Sequence, residues 1–243
     1  MDENILEKCI IDPFRGVEDI QNRIIRCPVS AKKSFDQDPL RILRGIRFAT
    51  TLGFEIEEHT LKKLVEQSHS LMRISRERWV EEFNKILQSD NVFNGLKMLW
   101  GYRIFNFTIP ELAIQWNYDQ NSRYHDLQLW EHTTRVVEEA QKGGESLNML
   151  WAALLHDIGK CYTRTDKRVI REVGNDGFIY TNKSNYIMHE RVGAEIAFRI
   201  LTYMKFSNKD IKEICDLIRH HLEDESPLRK YDNMHKKEIQ NGN

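Results

Sequence analysis

The stretch LNMLWAALL, residues 147–155, is apolar almost throughout and runs directly into His156 and Asp157. A carboxylate at the end of a buried helix costs several kcal/mol unless it is paired or bound to a cation. Gly159 follows at once and suits a helix stop. Any fold of this chain must therefore bring partners to that corner. The sequence offers His132 in WEHTTRVVEEA, His189 at the start of the next helical stretch, and His221 at the end of the one after. His221 shares a helix side with Ile214 and Ile218, whereas His220 faces the polar side. Imidazole and carboxylate together suit divalent transition ions, and carboxylate oxygen also accepts magnesium. Such a site polarises a phosphate and lowers the pKa of bound water. The plainer reading of any one of these histidines is a helix-end imidazole satisfied by hydrogen bonds. The ordered set His132, His156, Asp157, His189 and His221 favours the metal.

Composition narrows the class. The 243 residues carry 30% charged and 40% hydrophobic side chains, as expected of a soluble globular protein of one large or two small domains. A net charge of −1 excludes a surface coated uniformly for nucleic acid. The charge is uneven, however. Between residues 23 and 47, Arg23, Arg26, Lys32, Lys33, Arg41, Arg44 and Arg47 stand against only Asp36 and Asp38, enough to attract phosphates locally. The four cysteines, Cys9, Cys27, Cys161 and Cys215, form no CxxC pair and no zinc spacing. Reduced thiols, the lack of a bilayer-length apolar run and an N-terminus unlike a secretory signal point to the cytoplasm and away from membranes.

Residues 5–26 read as one or two strands, the edge of a sheet whose remainder is not in the sequence; an unpaired edge is a liability that a partner would remove. From Asp38 to about Ile114 the pattern is helical. Asp38-Pro39 is an N-cap followed by a first helical residue, and Gly53 closes that helix. Further helices are expected from Glu57 or Thr60 to Ser68, from Ser75 through WVEEFNKIL, and over NVFNGLKMLWGY. Residues 115–126 read as a polar linker. Helices follow at about 127–141, 147–158, 189–204 and 208–222, with a β-hairpin around Gly174-Asn175-Asp176-Gly177. Beyond Pro227 the chain is charged, polar and expected to fray.

Within QDPLRILRGIRFATTLGF, residues 37–54, Arg41, Arg44 and Arg47 recur at spacing three and share one helix side. Aspartate only accepts hydrogen bonds, while arginine donates through a planar fork. Asp38 and Arg41, one turn apart, can therefore imitate a base edge for cytosine or adenine, each of which offers an amine beside an acceptor. The bland alternative is a helix cap with solvated arginines.

Two resemblances bear on these readings. His…His-Asp with the following Gly-Lys resembles the HD superfamily of metal-dependent phosphohydrolases. That family's ligand set closes with a further aspartate on its own helix; here Asp224 and Asp232 lie beyond His221 in a short polar tail, and the last ligand is left unassigned. His125 stands in the linker as either a phosphate contact or a solvated side chain. The stretch at 37–54 resembles the neck of bacterial-type (class II) tRNA nucleotidyltransferases and their poly(A) polymerase relatives, in which a Glu-Asp-x-x-Arg motif serves as a protein template for incoming CTP or ATP. Asp38 and Arg41 match the base-reading pair, Gln37 replaces the glutamate, and Arg44 matches an arginine placed near the triphosphate. DPFRGVEDI resembles the hinge between head and neck, with Asp12, Gly16 and Asp19 in register and Arg15 where a second glycine is common. ISRERWVEEFNKIL resembles the helix-stabilising motif, through Ser75, Glu77 and Arg78. GLKMLWGYRIFNFTIPEL, LLHDIGK and MHERVGAEIA continue the family order, so the resemblance spans roughly residues 5–225.

The resemblance implies a mainly α protein: a remnant of a nucleotidyltransferase head and hinge with a short β edge (1–28), a helical neck binding nucleotide and RNA (29–115), an all-helical HD-type metal-binding body with one β-hairpin insertion (116–228), and a polar tail (229–243). It implies Asp38, Arg41, Arg44 and Arg47 as nucleotide-binding residues and tRNA with CTP or ATP as partners. It also implies magnesium for nucleotidyl transfer and manganese, nickel, cobalt or magnesium at the HD site. The family's head carries a glycine loop, an arginine and an Asp-x-Asp pair that align the RNA 3′ hydroxyl with the α-phosphate through two metals. No such motif precedes Asp12 in this sequence. The chain alone is therefore expected to add no nucleotide, and no residue is assigned to that catalysis. It would be a piece of a longer protein or act with a separate head, and the open edge also admits a homo-oligomer. The competing expectation is a free-standing HD phosphohydrolase acting on nucleotides, cyclic phosphates or RNA ends; a third is a non-catalytic RNA-binding module.

Overall fold

In the computed structural model, which describes residues 11–121, 127–174 and 177–234, helices dominate and the strands form two two-stranded pairs. The chain opens with α1 (Gly16–Gln21) and β1 (Ile24–Ile25), then α2 (Ala31–Gln37), α3 (Leu40–Leu52) and β2 (Glu55–Ile56). α4 (Glu58–Gln67) leads through a 3-10 turn, Ser68–Arg73, into α5 (Arg76–Leu87) and α6 (Val92–Gly101), and the short α7 (Phe105–Thr108) and α8 (Pro110–Ala113) follow. The second half holds α9 (Leu129–Lys142), α10 (Leu147–Leu155), α11 (Lys160–Thr163), the hairpin β3 (Thr165–Gly174) and β4 (Gly177–Asn185), then α12 (His189–Tyr203), α13 (Asn208–Arg219) and α14 (Pro227–Asn233).

The neck helix α3 begins as the Asp38-Pro39 order dictates. Asp38 Oδ1 accepts the Leu40 backbone N–H at 3.2 Å, the second-position bond of an N-cap. It ends at Gly53, whose φ of 65° lets the chain turn back without a Cβ penalty. Leu40, Ile42, Leu43, Ile46 and Ala49 are buried on its inner side. α6 crosses this helix closely at Gly95, where a Cβ would come within 2.7 Å of Thr50 Cγ2. The body is built around α10, buried from Met149 to Leu155 and so apolar on every side, as a central helix must be. One apolar core runs from Ala31 to Tyr231 through both halves. Trp151 of α10 ties them, its ring 6.3 Å from that of Phe83 on α5 and its Nε1 donating to Asn84 Oδ1 at 2.8 Å.

Several expectations need correction. Over the described part of residues 5–26, the chain forms α1 and only two strand residues. Those pair in parallel with β2, Ile24 opposite Glu55 and Ile25 opposite Ile56, so this edge finds its partner within the chain. α2 was not expected: its buried side is only Ala31, Ser34 and Phe35, too short for periodicity to register. The 115–126 stretch is no simple solvated linker where it is described. Gln115 and Gln120 are fully buried; Gln115 Oε1 accepts the Thr133 hydroxyl, and Gln120 Nε2 donates to Leu127 O. His125 lies outside the described residues. The chain after Pro227 does not fray at once: Ser226 and Pro227 open α14, which buries Leu228, Tyr231 and Asp232. The Gly-rich hairpin is where the sequence places it, with a register shift between Ile170 and Glu172.

Candidate metal centre and the arginine side of the neck

Five helices and two helix-flanking turns converge on Asp157, which is 1% exposed. His132 comes from the first turn of α9, His156 and Asp157 from the end of α10, and His189 from the first residue of α12. His221 follows α13, and Asp232 is carried by α14. Their donor atoms fall into two groups that share Asp157: His132, His156, Asp157 and Asp232, and Asp157, His189 and His221, all atoms of each group within 4.8 Å of one another. All five residues expected from the sequence are therefore brought together. Asp232 supplies the carboxylate that the sequence left unassigned; its Oδ1 lies 3.0 Å from His132 Nε2 and 3.7 Å from His156 Nε2. A helix signal was present in Ser226-Pro227 and in the Leu228/Tyr231 spacing, but the charged composition of the tail masked it.

The backbone sets the imidazoles. Nδ1 of His156, His189 and His221 lies 2.8, 2.7 and 2.7 Å from the carbonyl oxygens of Ala153, Tyr186 and Ile218. A carbonyl only accepts, so each Nδ1 carries the proton and each Nε2 is turned toward Asp157. Nε2 of His156 and of His221 is buried without a hydrogen-bond partner, which is costly in a protein interior and suits a ligand atom. The nitrogen and oxygen donors fit a divalent cation.

The electrostatics agree with a site built for positive charge. Burial opposes ionisation of Asp157, but His156, Lys160 and His132 outweigh it and hold this carboxyl well below its ordinary range. Asp232 is likewise depressed, against burial, by His132 and His156. Burial alone would lower the His156 imidazole; the charges of Asp157 and Asp232 reverse this and lift it to about 9. His221 goes the other way, to about 3, because burial and repulsion from His156 both disfavour its cation. It stays a neutral donor. Lys160, 4% exposed, was missed as a site residue. Its Nζ donates to Asp157 Oδ2 at 2.6 Å and to Gln120 Oε1 at 2.9 Å, which explains why a buried glutamine sits in the supposed linker.

In the neck, Asp38 is held from two sides, by the Leu40 N–H and by Arg78 Nη2 at 3.5 Å from Oδ2. Arg41 is exposed; its Nη1 donates to Ser34 Oγ at 2.9 Å. Arg44 and Arg47 converge on Glu82, which is 2% exposed, at 3.5 and 2.5 Å, and the Arg47 guanidinium also lies 3.9 Å from the centre of the Phe48 ring. The shared helix side is thus divided. Arg41 and half of Arg44 face outward, while Arg47 is engaged in an internal ion pair. Glu82 is 35 residues away in sequence, and no spacing rule points to it.

Ahead of α1, Asp12 accepts the N–H groups of Val17 and Gly16 at 2.9 and 2.7 Å, and these bonds lower its pKa. Asp19 pairs with Arg26. Arg15 has φ 58°, a left-handed conformation that a glycine would adopt without strain.

Comparison with known proteins gives a consistent picture. Residues 53–115 match a family model described as "Probable RNA and SrmB- binding site of polymerase A", and residues 129–240 match the HD domain. An A-adding tRNA nucleotidyltransferase of Deinococcus radiodurans is 30% identical over 88% of this chain and 48% of its own length. A CC-adding tRNA nucleotidyltransferase of Thermus thermophilus is 32% identical over 90% of this chain and 50% of its own. The chain thus spans about half the length of the curated relatives it matches. The crystal structure of the Bacillus stearothermophilus CCA-adding enzyme in complex with CTP superposes with a TM-score of 0.58 at 24% identity, covering 86% of this chain and 40% of that one, a likeness of fold. Among the described residues, no helix is long and apolar enough to cross a membrane.

Proposed function

We propose that this chain belongs to the bacterial-type tRNA nucleotidyltransferase and poly(A) polymerase family, and that it is the neck and body with which such an enzyme matures or repairs the 3′ CCA end of tRNA. Residues 29–115 would form the neck that reads the base and holds RNA, residues 1–28 the hinge around Asp12, Gly16 and Asp19, and residues 116–228, extended by α14, the HD-type body. Asp38 accepts from the exocyclic amine of CTP or ATP, Arg41 donates to the neighbouring ring acceptor, and Arg44 stands toward the triphosphate. Arg47 acts on these indirectly, by fixing Glu82. Magnesium would serve transfer in a head domain, joined or separate.

The observation that carries this reading is the double tether on Asp38. With Oδ1 on the Leu40 N–H and Oδ2 facing Arg78, the carboxylate is fixed in place while Arg41, one turn later, remains exposed beside it. The test is NMR of the arginine side-chain N–H signals on titration with CTP, ATP, UTP and GTP. Arg41 should shift with CTP and ATP only, and Asp38→Ala should abolish the response. Equal responses to all four, or none, refute base reading. The basic neck should also bind tRNA with salt dependence, weakened by charge reversal at Lys32, Lys33, Arg41 and Arg44.

For the body, we propose that His132, His156, Asp157, His189, His221 and Asp232 hold a divalent ion, with manganese, nickel, cobalt and magnesium as the candidates. Bound there, an ion would polarise a phosphate and acidify a water; Lys160 would steady Asp157. Asp232 gives the phosphohydrolase reading its complete donor set. The relatives favour nucleotidyl transfer. Phosphate release from nucleotides that needs added metal and is lost in Asp157→Ala would establish the hydrolytic activity; absence of turnover with all four ions refutes it.

A further inference from the structure

Between the ends of α3 and α6 lies a cleft of about 710 Å³, within the size range of small-ligand pockets. It opens on the side of the molecule formed by Phe54, Glu55, Asn94, Lys97, Tyr102 and Trp116. The two half-buried aromatics come from different segments, Tyr102 from the end of α6 and Trp116 from beyond α8. Trp116 is buttressed by Trp130, the ring centres 4.6 Å apart and the planes tilted by 34°. The amide of Asn91 is occupied by Thr50 O. By contrast, the side chains of Asn94 and Lys97 and the Tyr102 hydroxyl make no hydrogen bond or ion pair with another described residue. Burial raises the Tyr102 pKa, so the hydroxyl remains a donor near neutral pH.

We propose that this cleft takes one unpaired nucleoside of the RNA, stacked between or against Tyr102 and Trp116. The inference rests on the RNA-binding reading above and specifies where a single base is held. A nucleoside has a flat face and a polar edge, and the cleft supplies a counterpart to each. A rigid aromatic wall takes the face, and an amide able to donate and accept takes the edge. Lys97 reaches the adjoining phosphate. The lining carries one acid, Glu55, and one base, Lys97, so it has no net charge and is not a general phosphate trough. Its contribution is carried by stacking, tolerates any base, and excludes duplex RNA, whose bases have no free face.

The test uses the full chain, a short single-stranded oligoadenylate or oligocytidylate, a blunt RNA hairpin and tRNA, with binding read by fluorescence anisotropy. Gly101→Leu projects a side chain from a cleft-lining position where a Cβ meets nothing within 4 Å, so it fills the space without disturbing the fold. Gly101→Leu and Tyr102→Ala should each weaken the oligonucleotide by about 10-fold and leave the hairpin unchanged, while Tyr102→Phe retains most of the affinity. Lys97→Ala should reduce the salt slope of oligonucleotide binding by about 0.7. Ultraviolet cross-linking should join the oligonucleotide to the peptide bearing Tyr102 or Trp116. If tRNA binds and neither Gly101→Leu nor Tyr102→Ala alters the oligonucleotide affinity, the cleft is not a base site and the broader RNA reading stands. If the unsubstituted chain binds neither tRNA nor oligonucleotide, both fall together.

Discussion

Gly159→Ala should be among the most damaging single-methyl additions in this protein. Gly159 follows the His156-Asp157 corner, and a Cβ there would lie 2.1 Å from the His189 carbonyl oxygen, 2.7 Å from Gly193 N and 3.0 Å from His189 C. All three are backbone atoms, so no rotamer change relieves the contact. To restore ordinary van der Waals separation, α12 must retreat by roughly an ångström, and interiors packed like crystals do not give so much locally. Overpacking of flexible side chains costs about 1–3 kcal/mol; with only backbone to yield, about 3 kcal/mol or more is expected. For a chain of this length that lowers the melting temperature by about 6–12 °C. The same retreat carries His189 away from Asp157, from which its Nε2 is 3.3 Å distant. Thermal unfolding followed by circular dichroism, with and without manganese, measures both effects. Gly101→Ala is the control, since a Cβ there meets open space and alanine favours the helix, so its stability should hold or rise slightly. A Gly159→Ala protein melting within about 1 °C of the parent would refute the packing argument and with it the claim that α12 is locked to the end of α10.

Asp232→Ala should abolish the rise in melting temperature on adding divalent ion, about 5–10 °C at a hundredfold excess over the dissociation constant for a site in this fold, and calorimetric titration should show the lost binding directly. Arg15→Gly exchanges a left-handed strain of about 1–2 kcal/mol for glycine's backbone entropy of about 0.5–1 kcal/mol. Chemical denaturation should therefore find it neutral or stabilised by up to about 1 kcal/mol. Burial pushes the Cys161 thiol up to about 12 and the Cys215 thiol up to about 11. Both should resist a thiol reagent at pH 8 until the protein unfolds. As pH rises past the unfolded thiol value of about 8.5, the unfolded chain releases these protons first, so stability falls between there and pH 11–12. Asp157 and Asp232 act with the opposite sign. Their depressed values contribute stability above the unfolded value of 3.8, lost as pH falls below it, and acid unfolding should be eased by Asp232→Asn.

What the sequence disclosed was governed by how local each signal is. The apolar run ending at His156-Asp157 announced its burial, and the Asp38-Pro39 and Gly53 boundaries of α3 are readable because capping is settled within a few residues. Among the described residues Cys27, Cys161 and Cys215 form no disulfide; Cys9 lies outside them. Signals that depend on a distant partner were not legible. Gln115 and Gln120 look solvated until Thr133 and Lys160 are seen beside them. Arg47 looks like another outward arginine until Glu82 arrives from α5. Asp232 looked like part of a charged tail because Leu228 and Tyr231, which fold it inward, are only two apolar residues among many polar ones. The missed contacts have this in common: a polar group is made tolerable in the interior by a partner many residues away.

His132 and Asp232 stand a hundred residues apart. A growing polypeptide makes its N-terminal part first, so the four histidines are synthesised and can pack before the closing acid is available. Until α14 emerges and docks, a ribosome-bound chain has an imidazole nest with a single carboxylate, Asp157, to balance it. A cation held there, as proposed, would be retained only once α14 has been made, and would cross-link α9 to α14.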